Sequence, residues 1–503
     1  MLFPTLTFAA FFAVVLPVSW WLRARPVRWK LFILGASYLF YGYWNWKFLF
    51  LLAAATIANE VFGVAIHRAA TSRSRHVLLA AAVAFNLGVL GVFKYYRFFI
   101  ESFNDLLGTD SAISAIALPI GISFFTFQAL SYVIDIARGN TGPAPLLDFA
   151  VYLAFFPQLV AGPIVRATEF LPQVRTRRPP DRVALGHAAV LIGQGVFKKV
   201  VISSYLASAI VDDTFALPDQ HSSLEVLVGV YAYAIQIYAD FSGYTDIAIG
   251  VALLLGFRFP LNFDRPLTAT SLQDFWRRWH MTLSRWLRDY LYFPLGGNRK
   301  GRVATYRNLL IVMVLGGLWH GAGANFAVWG LIHGLGLAGE RLLAAARGEH
   351  DRPLSEADIR IQEIGALHSG DRLAPWRPDP TSPTPFAPVQ VRRLWLGRVL
   401  TFHFVCLAWI PFRAGNLPGA RDVFLRLFTG WTDLSTTAIT PMLLAVIAAM
   451  IAVQLVPRLY ARQAIAAFSR IPVALQGAAA GLALAASVAL APLGVQPFIY
   501  FQF

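Results

Sequence analysis

The sequence predicts an all-α protein that crosses the membrane many times. Of its 503 residues, 57% are apolar or aromatic and only 14% are charged, against roughly 25% charged in ordinary soluble chains. A water-soluble globule cannot hide that much apolar side chain, and the same richness excludes disorder. The apolar residues gather in runs near 2–22, 31–44, 47–66, 77–100, 115–137, 148–165, 185–210, 224–257, 307–318, 323–345, 395–412, 436–457 and 473–493. Many of these approach the ~20 residues that cross a bilayer. Lysine and arginine outnumber acidic residues by 43 to 27, a net charge of +16. In such a chain the excess marks cytoplasmic loops beside anionic lipid. No soluble basic face is visible, so lipids rather than nucleic acid are the expected partners.

The elements follow in order. The chain opens Met1-Leu2-Phe3 with no basic region, and Arg23, Arg25, Arg28 and Lys30 come after the first run. A secretory signal has the opposite polarity, so 2–22 reads as a retained span with the cations inside. Residues 31–44 and 307–318 are short for an ~30 Å core and read as partial or re-entrant. If 31–44 leads out and 47–66 returns, Arg68, Arg73 and Arg75 fall inside, and the stretch from Arg166 to Arg182 fits the same side. Residues 346–394 differ, with seven acidic residues, seven arginines and seven prolines. They read as a solvated charged loop or insertion within a single membrane domain spanning 1–503. There is no internal repeat, G-x-S-x-G elbow, P-loop or H-E-x-x-H. The single cysteine, Cys406, forbids an internal disulfide or a cysteine-based zinc cage. His403 lies one turn before it, and the pair lacks further ligands, so packing is the better reading and no metal site is expected.

Two stretches carry candidate chemistry. Residues 275–292 wind, as one helix, into arginines (Arg277, Arg278, Arg285, Arg288) opposite aromatics (Phe275, Trp276, Trp279, Trp286, Tyr290), the pattern of a helix lying at headgroup level. His280 falls at the edge of the apolar face. It is either a hydrogen-bonded packing residue or a functional one, since ionisable groups inside a membrane are expensive and burial favours the neutral ring a base needs. In 316–334, His320 sits among glycines; Gly317-x-x-x-Gly321 and Gly330-x-x-x-Gly334 allow close backbone approach. His333, thirteen residues on, would not share a helical face with His320 and reads as packing. Between these stretches, Leu295-Gly-Gly-Asn-Arg-Lys-Gly301 suits either a donor phosphate or a plain basic turn. Asp240 and Asp246 are six apart, which favours interhelical hydrogen bonding over an acid/base pair.

The sequence resembles the membrane-bound O-acyltransferase family, in its bacterial alginate O-acetyltransferase-like branch. The resemblance rests on Phe155-Phe-Pro-Gln-Leu-Val-Ala-Gly-Pro-Ile164, 238–250, 272–297 and 315–334, and on the ending Pro497-Phe-Ile-Tyr-Phe-Gln-Phe503. It implies a ring of roughly 11–13 transmembrane, partial and re-entrant helices around a central tunnel. The family's catalytic histidine maps onto His320, and its second polar position onto His280. The resemblance further implies that an acyl group, acetyl first among candidates, passes from a cytosolic thioester such as acetyl-CoA to a hydroxyl acceptor, with no tightly bound cofactor. His320 would take the hydroxyl proton, and His280 would orient the donor or meet the oxyanion. Arg285, Arg299 and Lys300 are the donor-binding candidates; Trp279, Trp319 and Asn325 are the tunnel-lining ones. A periplasmic partner acting on a polysaccharide, and the bacterial inner membrane as location, complete the expectation. The alternatives are a non-enzymatic lipid or glycan exporter, which would often show two related halves, and a scaffold of a polysaccharide-export complex.

Overall fold

The computed structural model describes residues 1, 3–109, 117–176, 182–348, 388–433, 436–491 and 498–499. Most of the charged stretch expected at 346–394 therefore lies outside the described residues. The described residues form helices and connecting turns, with no strand among them. Among the described residues, six helical segments are long and apolar enough to cross a membrane: Leu6–Ala24, Phe48–Arg68, Ser72–Asn104, Ala184–Ala216, Ser223–Leu254 and Leu394–Arg413. A seventh arises if the bent pair Pro441–Leu455 and Leu459–Arg470, which turns by 91°, is one span. The remaining apolar runs are shorter or carry more polar residues. Run 307–318 belongs to a 20-residue helix, Gly301–His320, which at 1.5 Å per residue is about 30 Å long. Its partial appearance in sequence came from Arg302 and Arg307 in the first turns.

The chain divides into two compact units. The first holds Met1–Asp181 and Tyr244–Arg258. Its core is aromatic: Phe3, Phe8, Phe11, Phe40 and Phe156 are all buried, and the Phe11 and Phe156 rings meet edge-on at 5.3 Å. Helices Phe48–Arg68 and Ser72–Leu90 are joined by a reciprocal amide pair, Asn59 Nδ2 to Asn86 Oδ1 at 3.1 Å and Asn86 Nδ2 to Asn59 Oδ1 at 2.7 Å. Such bonds replace the hydrophobic drive that lipid cannot supply between helices. The Tyr132 hydroxyl donates to Glu60 at 2.7 Å and accepts from Ala144 N at 2.8 Å, and Lys30 pairs with Asp148.

The second unit holds Arg182–Gly243 and Phe259–Phe503, and every candidate site residue lies in it. Gly301–His320 and Ala324–Ala346 form a helical hairpin whose turn, 321–323, contains two glycines. A Cβ on Gly317 would sit 2.1 Å from Phe326 O, and one on Gly330 would sit 2.2 Å from Met313 O. Two of the glycines flagged by spacing, Gly317 and Gly330, are thus points where the hairpin's two backbones touch. Asp240 is bonded across to neighbouring segments, as its isolation in an apolar helix suggested. It pairs with Lys199, accepts from Ser203 Oγ at 3.1 Å, and accepts from Ile499 N at 3.0 Å. His403 bonds Val399 O within its own helix, and Cys406 is buried beside it.

Candidate active site

The single amphipathic helix expected at 275–292 is not what forms. Helix Leu272–Arg278 stops, Trp279 is extended, and His280 takes the left-handed conformation (φ 41°, ψ 52°) before Met281–Leu287 begins. Arg288–Tyr292 then winds as one wider π turn. A left-handed β-carbon residue costs on the order of 1–3 kcal/mol and persists only when its surroundings hold it. Here a loop eighteen residues earlier does so: Met281 N donates to Asn262 O at 2.9 Å and Asp264 N donates to Arg278 O at 2.9 Å. Ser271 caps the first helix by accepting from Asp274 N at 3.0 Å. The two-faced character survives the break. Phe275, Trp279, Leu283, Trp286 and Tyr290 are buried in protein rather than laid on lipid, while Arg277 is exposed. Arg278 and Arg288 are half-buried and paired with Asp274 and Asp289.

The break places His280 near His320, with ring centres 6.3 Å apart. Both are buried, at 0% and 3% exposure. His320 ends its helix one residue before Gly321 and meets Trp329 at 5.1 Å and Phe412 at 5.3 Å, edge to face. His280 meets Phe241 at 4.7 Å and Trp319 at 5.8 Å. Trp409 bridges the layer, lying 5.1 Å from Trp279 and stacked 5.3 Å from Trp329. Two imidazoles forty residues apart in sequence thus share one aromatic layer.

His333 does not share a helical face with His320, since the two lie on different arms of the hairpin. The glycine turn folds His333 back, and its ring contacts Trp329 at 5.0 Å and Trp276 at 5.2 Å. Asn325 is buried and donates to Pro411 O at 3.1 Å, tying the hairpin to Pro388–Arg413. Its amide nitrogen is thereby engaged in holding two helices together.

The layer is aromatic and buried yet holds polar atoms with no hydrogen-bond partner among the described residues. These are His280 Nε2, both ring nitrogens of His333, and the indole nitrogens of Trp276, Trp279 and Trp329. Leaving one buried donor or acceptor unsatisfied costs about 1–3 kcal/mol, so a cluster of them calls for a functional account. His280 lies on none of the candidate spans, and burial pushes its pKa down, which keeps the ring neutral.

The basic candidates are not gathered at this point. Arg285 is half-buried on the last turn of Met281–Leu287. Arg299 and Lys300 are exposed in the turn before Gly301, at the far end of the helix from His320. That separation is about 29 Å along the axis at 1.5 Å per residue. The turn is built rather than loose: Gly296, Gly297 and Gly301 have φ of 107°, 56° and 86°. Asn308 Nδ2 donates to Leu295 O at 3.2 Å and Gly297 O at 2.9 Å. Sequence reasoning missed Asn262, Trp329 and Trp409. A polar residue inside Phe259-Pro-Leu-Asn-Phe263 was the available signal for Asn262.

Residues 116–347 match the model of the membrane-bound O-acyltransferase family. The chain is 40% identical over 434 residues to a probable alginate O-acetylase of Azotobacter vinelandii, covering 84% of this chain and 78% of that one. It is 35% identical over 429 residues to a peptidoglycan O-acetyltransferase of Helicobacter pylori, covering 79% and 73%. Over 226 residues, 42% of this chain and 56% of the other, it is 29% identical to a teichoic acid D-alanyltransferase of Bacillus subtilis.

Proposed function

Because the chain belongs to the membrane-bound O-acyltransferase family and is an O-acyltransferase, we propose that it O-acetylates an extracytoplasmic polysaccharide. The acetyl group comes from a cytosolic thioester, acetyl-CoA, and reaches the polymer with the help of a periplasmic partner across the inner membrane. The relatives named for alginate and peptidoglycan O-acetylation support acetyl and glycan as the transferred group and the acceptor class. The observation that carries the site is the convergence of His280 and His320, 6.3 Å apart in a buried aromatic layer.

In this reading His320 is the base. The acceptor hydroxyl oxygen attacks the thioester carbonyl while His320 takes its proton. Collapse of the tetrahedral species breaks the C–S bond, and the proton passes from His320 to the departing thiolate. One hydroxyl and one thioester become one ester and one thiol. A positioned base contributes roughly 10²–10⁴-fold, and a water-poor layer of tryptophan and phenylalanine protects the thioester from hydrolysis. The donor's anionic end meets Arg285, on the helix that follows His280. Arg299 and Lys300 act farther out, raising local donor concentration without touching the reacting atoms.

The test is release of free CoA by purified protein given acetyl-CoA and a hydroxyl-bearing glycan, with His320→Ala as the control. We expect turnover in the native protein and none above background in a well-inserted His320→Ala. Equal turnover in that variant removes His320 from the chemistry. Glycan movement across vesicles without CoA release favours an exporter instead.

A further inference from the structure

His280 and Asn262 form a pair whose proton positions the heavy atoms dictate. Asn262 Oδ1 lies 3.2 Å from Thr282 N, 2.9 Å from Thr282 Oγ1 and 3.1 Å from His280 Nδ1. A backbone N–H only donates, so the amide atom facing Thr282 is the oxygen; the reversed amide would set two donors against each other. That oxygen only accepts. His280 Nδ1 therefore carries a proton, and in a neutral imidazole the lone pair then resides on Nε2. Nε2 is buried with no partner among the described residues. The same Asn262 also holds the left-handed backbone of the break, through its own carbonyl and Met281 N at 2.9 Å. One residue thus sets both the ring's tautomer and the ring's placement.

We propose that Asn262 is a positioning residue that locks His280 in the Nδ1–H tautomer, so that Nε2 serves as a hydrogen-bond acceptor for a hydroxyl of the bound glycan. The neutral ring, protonated on the Asn262 side, has no proton to offer an oxyanion at Nε2. Of the roles first open to His280, orienting the donor or meeting the oxyanion, the second is closed, and Nε2 is left to accept a hydrogen bond from the glycan side. A hydroxyl carries one proton, so the hydroxyl that meets His280 is not the one His320 deprotonates. The preferred acceptor accordingly presents at least two hydroxyls, as a sugar ring does. The glycan's identity rests on the acyl-transfer reading; the tautomer does not.

The experiment uses the full chain in lipid nanodiscs with ¹⁵N-labelled histidine, the His280 signals being assigned by their loss in His280→Gln. We expect an unprotonated Nε2 in the native protein and in Asn262→Asp, which keeps an acceptor oxygen in place. Asn262→Leu is expected to mix the tautomers and lower CoA release about 10²-fold, the range of a lost catalytic proton position, while Asn262→Asp restores most of it. A protonated Nε2 in the native protein overturns the proposal. So does Asn262→Leu with native tautomer and native turnover. If Asn262→Leu does not fold, the native and Asn262→Asp spectra decide. Failure of the acyl-transfer reading looks different: no CoA release from the native protein, with the nitrogen pattern intact.

Discussion

Replacing Gly317 by alanine tests whether the glycine hairpin places His320. The new Cβ would lie 2.1 Å from Phe326 O and 3.2 Å from Gly330 N, all backbone. That is about 1.3 Å inside the 3.4 Å at which ordinary contact begins, and no flexible side chain can move aside. The two helices must part by roughly an ångström, one turn from His320. Overpacking of this kind costs about 1–3 kcal/mol, and a 1 Å misplacement of a reacting group about 10²-fold in rate. We therefore expect Gly317→Ala to insert, to melt earlier in detergent, and to release CoA about 100-fold more slowly. Gly339→Ala is the matched control, on the same hairpin with nothing within 4 Å of its Cβ. Native turnover in Gly317→Ala, or equal damage in Gly339→Ala, refutes the reasoning.

Other substitutions probe the layer and its supports. His280→Ala should lower CoA release severely while leaving insertion intact; native turnover would reduce His280 to packing. Trp329→Phe removes an indole N–H that has no partner among the described residues and thins a fully buried ring; melting should fall modestly while turnover falls about tenfold, since a hydrogen bond to substrate is worth ~1 kcal/mol or more. Asp240→Ala removes the carboxylate that pairs with the buried Lys199 ammonium and should lower unfolding stability by about 3–5 kcal/mol, read as an earlier melt. Neutralising Arg299 and Lys300 together to glutamine should lower kcat/KM for acetyl-CoA a few-fold at low salt, and the deficit should vanish at high salt, where exposed charges are screened.

The membrane character, the helical class, the close-packing glycines and the two histidines were legible because each is a local signal. Apolar run length, small-residue spacing, and a lone imidazole in an apolar stretch need no partner to be seen. The break at His280 was not legible. Read alone, Leu272 to Tyr292 has helix-forming residues and no glycine or proline before Pro294. What stops the helix is tertiary: Asn262 O takes Met281 N, and Arg278 O takes Asp264 N. The hairpin that carries His320 and His333 on separate helices was also not legible as a turn. Gly321 was read for close backbone approach, whereas it also opens the turn between two helices, with Gly323 closing it. The basic turn at 295–301 lies between the two histidine stretches in sequence, yet a 20-residue helix separates it from His320.

Both candidate histidines stand where regular backbone ends, His280 between two helices and His320 at the last turn of one. Helix ends leave up to four N–H or C=O groups unsatisfied, and in a membrane such groups are tolerated only where protein or a water-lined cavity surrounds them. An ordinary span cannot carry an interruption facing lipid. A site assembled from two interruptions must therefore be walled by protein, and the walls here are Phe241, Trp279, Trp319, Trp329, Trp409 and Phe412. The same discontinuities that make the backbone costly supply the polar, oriented groups that a reaction in a dry interior requires. Stability and function pull on the same residues. Asn262, which satisfies one break, and the glycines, which close the other, are consequently better targets for separating the two than the histidines themselves.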